Sequence, residues 1–426
     1  MRRSRLLFHS GSVPRGHVLS AERTRWGYSP TGTLRGILVA LLLCASLVLC
    51  SCASQGGQDS ASGASQESPY TTLVSDFHNT DLGCGWEPTG SMELDFATCF
   101  TVDYYAGGFA LVCTADGGRY LVAPEGKDAP KELATDIQLI QQPVGNVYLA
   151  ASDSMCLFDA LGALDRICAS GIERDDWYID AARAAMDKGD IMFGGKYRAP
   201  DYELLVSSGV RLAIESSMIN HTPEVREKLL DLGIPVLTEL SSYEREPLGR
   251  AEWIRLYGML CGLDSRAREV FDKQVAQARS FDASPTNKTV AFFYLNANGA
   301  AVVRRPGDYV TSMIEEAGGR SVFEGLEEAA TGSSSTTMEM EQFYAAAKDA
   351  DVIIYNATID EPLASLEELV QKNALLADFK AVQTGDVWLC DQNMYQKMIA
   401  TGDIIADIHK ALSGESDGLT YLRRLA

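Results

Sequence analysis

Two adjacent arginines, Arg304 and Arg305, are the most pointed chemical signal in this 426-residue chain. They follow the apolar stretch Ala300-Ala301-Val302-Val303 and precede Pro306-Gly307. At such a corner, two guanidinium forks either face an anionic partner or stand solvated in a turn. Signatures of covalent or phosphoryl chemistry are missing. There is no Gly-x-Ser-x-Gly elbow on a strand-to-helix turn, no Gly-x-x-x-x-Gly-Lys loop and no His-Glu-x-x-His pair. Acidic residues are numerous enough to form accidental carboxylate pairs, so a secreted hydrolase stays as a minor reading.

Metal chemistry has few ligands to draw on. Beyond residue 52 the only histidines are His78, His221 and His409, whereas a bare zinc or manganese site favours several histidines and carboxylates. No metal site or resident cofactor is expected. Cys44, Cys50 and Cys52 lie in or beside an apolar run, leaving Cys84, Cys99, Cys113, Cys156, Cys168, Cys261 and Cys390. An odd set cannot all pair, and none has Cys-x-x-Cys spacing. A bridge from Cys99 to Cys84 or Cys113 stays open; the others read as buried thiols.

The apolar run Gly36 to Leu49 follows Arg35 and ends in small residues, the pattern of a secretory signal spanning 1–51. The alternative, an uncleaved membrane helix, is short for a span. The ending Leu49-Cys50-Ser51-Cys52 resembles the bacterial lipoprotein signal. That resemblance implies lipid attachment at Cys52 and a monomer held at the extracytoplasmic face of the cell membrane. Residues 52–69 are small and polar, which reads as a flexible tether. Loss of residues 1–51 removes seven arginines and one glutamate and takes the formal charge from −21 to −27. Phosphate-rich nucleic acid is excluded as a partner by repulsion.

The elements that must position the arginines follow from periodicity. Residues 70–145 are β-rich, with Phe100 to Tyr105 and Phe109 to Cys113 separated by Gly-rich turns. From Val144 apolar strands alternate with helices, as in Leu212-Ala213-Ile214, then a helix from Pro223 to Leu232 capped by Thr222, then Ile234 to Leu237. Residues 249–284 read as a connecting helix, interrupted near Gly262, and the alternation resumes at Val290. The expected class is α/β: two Rossmann-like lobes with parallel sheets, 146–248 and 285–426, joined by a long helix and preceded by a small β-rich segment.

The order of several short motifs resembles the periplasmic-binding-protein family that captures iron-siderophores, haem and cobalamin for ABC importers. The motifs include Pro200-Asp201-Tyr202-Glu203, Leu232-Gly233-Ile234-Pro235, Trp253 to Gly262, Glu315-Glu316-Ala317-Gly318-Gly319, Ala350-Asp351-Val352 and Thr384-Gly385-Asp386-Val387-Trp388. The resemblance implies a small-molecule chelate bound between the lobes and an ABC permease as partner. Its ligand candidates are Met155, Tyr197 and Arg198 in the first lobe and Arg304, Arg305, Met394 and Tyr395 in the second. It also implies permease docking through Glu203 and Glu341, with Glu339 as the alternate. The competing reading is an envelope scaffold or adhesion lipoprotein that makes contact through residues 70–145.

Overall fold

The computed structural model describes residues 73–282, 284–327, 334–390 and 392–426. The signal segment, the tether and Cys52 lie outside the described residues. Five strands come first: β1 (Pro88–Ser91), β2 (Phe100–Tyr105), β3 (Ala110–Thr114), β4 (Arg119–Ala123) and β5 (Ile137–Gln141). They pair in sequence order, antiparallel except for the parallel β4–β5 contact. Both faces of this sheet are buried, which is why β3 and β4 read as continuous apolar runs. Leu111, Leu121 and Ile137 lie under a strap carrying Phe77, Leu82 and Trp86. The opposite face, with Phe100, Val112, Tyr120 and Ile140, enters a core shared with lobe 1.

Cys84, Cys99, Cys113, Cys156, Cys168 and Cys261 are free thiols. Cys99 belongs to the core on one face of the sheet, whereas Cys113 and Cys84 pack on the other. The sheet itself therefore separates Cys99 from both partners considered for it.

Lobe 1 alternates β6 (Val147–Leu149), α1 (Met155–Leu161), β7 (Ile167–Ser170), α2 (Asp180–Lys188) and β8 (Met192–Phe193). A two-stranded hairpin follows, β9 (Gly195–Lys196) and β10 (Ala199–Pro200), then α3 (Tyr202–Ser207), β11 (Leu212–Ser216), α4 (Pro223–Asp231) and β12 (Val236–Glu239). The sheet is fully parallel in the order β12-β11-β6-β7-β8. Thr222 does not cap α4 with its side chain; its hydroxyl turns back to the Ile219 carbonyl oxygen at 3.4 Å. Pro223, which needs no hydrogen-bond acceptor, starts the helix instead.

The first sheet packs on lobe 1 along the edge strand β12. The Val236 N–H donates to Oε1 of Gln138 at 2.7 Å, and the Thr238 N–H to the Tyr120 hydroxyl at 3.3 Å. Two carboxylates extend the joint. Glu252 accepts the backbone N–H groups of Asp95, Phe96 and Ala97 at 2.8–2.9 Å. Glu244 accepts those of Thr98 and Cys99, the Thr98 hydroxyl and the indole N–H of Trp253.

The connecting segment forms two helices, α5 (Pro247–Cys261) and α6 (Asp264–Ala278), with Gly262 at φ 71° ending the first. Only glycine adopts that left-handed cap without strain. α5 is buried on every side because sheet, lobe 1 and lobe 2 all lean on it: Phe100 meets Trp253 at 4.8 Å and Phe158 meets Tyr257 at 5.3 Å. α6 docks on lobe 2 through Gln274, whose Oε1 accepts the Gly402 N–H at 3.0 Å.

Lobe 2 contains β13 (Thr289–Leu295), β14 (Ala301–Arg304), α7 (Tyr309–Glu316), β15 (Arg320–Ser321), β16 (Ser335–Met338) and α8 (Met340–Ala347). It continues with β17 (Val352–Asn356), α9 (Leu366–Lys372), α10 (Lys380–Thr384), β18 (Val387–Cys390), α11 (Thr401–Ser413) and β19 (Leu422–Arg424). The sheet order is β16-β14-β13-β17-β18-β19, with β15 beside β13. Its centre, β13-β17-β18, is parallel as expected, but β14, β16 and β19 run antiparallel. For β14 the short hairpin from β13 is the reason: a tight turn at Asn296 to Gly299 can return the chain only antiparallel.

Candidate functional site

Charged and aromatic side chains from both lobes converge where the lobes meet α5. Asp153 stands in the loop after β6 and Glu239 ends β12, both at the carboxyl edge of the lobe 1 sheet, where open α/β folds place ligands. Arg250, in the first turn of α5 and only 4% exposed, reaches Oδ2 of Asp153 at 3.3 Å. The guanidinium also lies over the Tyr309 ring of α7, 3.8 Å from its centroid. From lobe 2, Arg304 at the end of β14 meets Asp308 at 3.5 Å and sits 5.8 Å from the same ring. Asp308 caps α7, accepting the Val310 N–H at 3.0 Å. Tyr309 is thus flanked by two arginines, each tied to its own carboxylate.

Burial governs the electrostatics. Burial pushes Glu239 up to about 8, reinforced by the nearby charge of Asp153. Asp153 and Asp308 are raised by the same loss of water, against the pull of Arg250 and Arg304 respectively. Burial disfavours charge on both guanidiniums, yet Tyr309 and Asp153 beside Arg250, and Asp308 beside Arg304, hold them charged. Tyr395 is 47% exposed on the turn after β18, and its hydroxyl is held protonated by the negative charge of Asp153 and by burial. An anionic ligand group arriving here would meet the Arg304 guanidinium and the Tyr395 hydroxyl, with Arg250 held behind them.

Other contacts cross between the lobes near the site. Gln396 accepts the Tyr178 N–H at 2.7 Å and donates to the Asp176 carbonyl oxygen at 2.8 Å. The Ser241 hydroxyl reaches Sδ of Met398 at 3.1 Å.

Of the residues singled out from sequence, Arg304 and Tyr395 belong to this junction. Arg305, one residue beyond the strand, turns to the Ser335 carbonyl oxygen at 3.3 Å and braces β16. Met155 is wholly buried in the lobe 1 core and Met394 is buried in the lobe 2 core, so both act as packing residues rather than cleft walls. Tyr197 and Arg198 form the turn of the β9–β10 hairpin beyond β8, Tyr197 partly buried and Arg198 exposed. Glu203 is exposed in the first turn of α3, which Asp201 caps by accepting the Leu204 N–H at 3.0 Å. Glu341 is exposed in the first turn of α8, two residues after the exposed N-cap residue Glu339.

Asp153, Glu239, Arg250, Asp308 and Tyr309 escaped the sequence reading. One signal was available: Arg250, Glu252 and Arg255 are charges inside a largely apolar helical run, and buried charges need partners. Among the described residues no three His, Cys, Asp or Glu side chains are grouped to hold a metal ion. The pentapeptide Gly414-Glu415-Ser416-Asp417-Gly418 has Gly-x-Ser-x-Gly spacing, but it leads from helix α11 toward β19. A nucleophile elbow requires the reverse, strand to helix.

Two α/β lobes bridged by a buried helix and a second, half-exposed one, with a polar junction between them, define a two-lobed binding protein. The chain belongs to the periplasmic binding protein family, which matches residues 152–394. Two uncharacterized lipoproteins of Methanocaldococcus jannaschii are similar to it. One is 23% identical over 317 residues, covering 71% of this chain and 74% of the relative; the other is 22% identical over 335 residues, covering 75% and 83%. The fold is shared with the periplasmic haem-binding protein HutB of Vibrio cholerae, at TM-score 0.51 and 17% identity over 62% of this chain and 97% of that one. It is also shared with the petrobactin-binding protein YclQ of Bacillus subtilis, at TM-score 0.51 and 14% identity over 63% and 93%. The five-stranded sheet, residues 88–141, lies outside the family match.

Proposed function

We propose that this protein is a lipid-anchored substrate-binding protein of an ABC importer, capturing an iron-siderophore, haem or corrinoid between its lobes and delivering it to the permease. The observation that carries this reading is the junction where Arg304, Tyr309 and Tyr395 of lobe 2 meet Asp153 of lobe 1 around Arg250. Arg304 and Tyr395 contact the chelate from lobe 2, and Tyr197 and Arg198 close on it from lobe 1. Arg250 is too deeply buried for first contact and acts by holding Tyr309 and Asp153 in place. Closure is a modest rotation, because α5 and α6 are packed against both lobes and resist wide opening. Exposed Glu203 and Glu341, one per lobe, report the closed state to arginines of the permease, and Cys52 carries the lipid. The family match and the lipoprotein relatives support this reading.

A titration of the purified protein with haem, cobalamin and several ferric siderophores, followed by tryptophan fluorescence and visible absorption, tests it. Saturable binding of one class that weakens in Arg304→Ala and Tyr395→Ala is the expected result. Absence of binding to every chelate overturns the reading.

A further inference from the structure

A second depression lies away from the lobe junction, at the seam between the first sheet and the two connecting helices. Its volume is about 420 Å³, within the range of small-molecule sites. Three elements build it: the β1–β2 connection supplies Met92, Glu93 and Asp95, α5 supplies Arg255, and α6 supplies Arg268 and Asp272. Its apolar surface comes from Tyr104 on β2 and the buried Phe271 on α6.

Charges of both signs line this depression, and most of them are unpaired among the described residues. Arg255 is committed, bonded to Glu252 at 3.1 Å and to the Glu93 carbonyl oxygen. Arg268 forms no ion pair among the described residues, and neither do the side chains of Glu93, Asp95 and Asp272. One free guanidinium and three free carboxylates therefore line one depression, with an aromatic surface between them. Tyr104 lines the depression together with both Arg255 and Arg268.

The geometry points to a second binding site, for a small basic amino acid of the diamino-acid type. A single carboxylate on the ligand answers Arg268, two ammonium groups answer the carboxylate excess, and a methylene chain covers Tyr104 and Phe271. A simple dicarboxylate would meet three like charges, and a simple diamine would leave Arg268 unanswered. The site is independent of the lobe junction and rests on none of the residues placed there.

The test is calorimetric titration of the full chain with L-lysine, with cadaverine and glutarate as the cation-only and anion-only probes. L-Lysine should bind saturably, and more tightly than either probe. Affinity should fall by about tenfold or more in Arg268→Ala and in Asp272→Asn, the scale of one lost charge-assisted hydrogen bond. Both positions are exposed, so the variants should keep the fold. Tyr395→Ala, at the lobe junction, should leave L-lysine binding unchanged. No saturable binding of L-lysine overturns the assignment. So does cadaverine binding that equals that of L-lysine and ignores Arg268→Ala, and so does loss of L-lysine binding in Tyr395→Ala, which would place the ligand between the lobes.

Discussion

The Arg250 guanidinium lies face-on to the Tyr309 ring at 3.8 Å, joining the first connecting helix to the opening turn of a lobe 2 helix. Its other partner is Asp153 of lobe 1. A single buried side chain therefore touches all three parts of the receptor body, and its energetics should be strongly asymmetric. Asp153→Ala leaves a charged guanidinium without its carboxylate and is expected to cost about 3–5 kcal/mol of stability. The double variant Asp153→Ala with Arg250→Met removes both charges and should recover most of that loss. Urea unfolding midpoints of the three proteins measure it; equal losses in single and double variants would show that the pair is not the unit.

Stability should fall with rising pH across the neutral range. Glu215, on β11, is fully buried and neither carboxyl oxygen has a hydrogen-bond partner among the described residues. Burial raises it from 4.5 to about 8 against the weak opposing pull of Arg226, and Glu239 is raised in the same direction. Between those values the folded chain holds a proton that the unfolded chain has released. Each such group lowers stability by up to about 1.4 kcal/mol per pH unit over that window, and the effect levels off above it. Glu215→Gln should remove one of the two contributions, visible as a flatter dependence of the unfolding midpoint between about pH 5 and about pH 8. An unchanged slope would exclude Glu215 as its source.

Glu252 should be indispensable to the docking of the first sheet. Its carboxylate receives three consecutive N–H groups, so Glu252→Ala strips the acceptor from a loop of which Ala97 is buried. Each stranded donor costs about 1–3 kcal/mol. Limited proteolysis should open new cleavage between residues 93 and 99, ahead of any cut in lobe 2. Protection equal to that of the parent chain would refute the role.

Under the proposed docking role, charge reversal at Glu203 and Glu341 should separate recognition of ligand from recognition of the permease. Uptake should be abolished while ligand affinity is retained, because both carboxylates stand on exposed first turns. Lost affinity in the purified double variant would remove their docking role.

Much of the lobe architecture was legible because its signals are local. The strands Leu212–Ser216 and Val352–Asn356, and the helix break at Gly262, follow from apolar runs and a glycine cap. The mixed character of the lobe 2 sheet was not legible: β14 ends at Arg304, where the sequence suggested only a corner, and β16 joins β14 while β19 joins β18 from distant parts of the chain. Nor was the seat of the first sheet, which depends on Glu252 and Glu244 reaching backbone groups 145–157 residues away. Periodicity carries no trace of such pairs. The same holds for the site: Arg304 and Tyr395 stood out by type, but their neighbours Asp153, Arg250 and Tyr309 are brought in by three separate elements.

Gln138 and Tyr120 occupy the outer side of β12, the place where another strand would add. The opposite border of the lobe 1 sheet is β8, two residues long and too short to template a partner. Neither border of that parallel sheet offers a run of bare backbone groups for sheet-to-sheet association. The vulnerability passes to β1, and there the chain is guarded in another way. Pro88 contributes no N–H, and an irregular register between Pro88 and Gly90 twists the strand out of line. The added sheet thus serves as a barrier to self-association, trading a long smooth border for a short broken one.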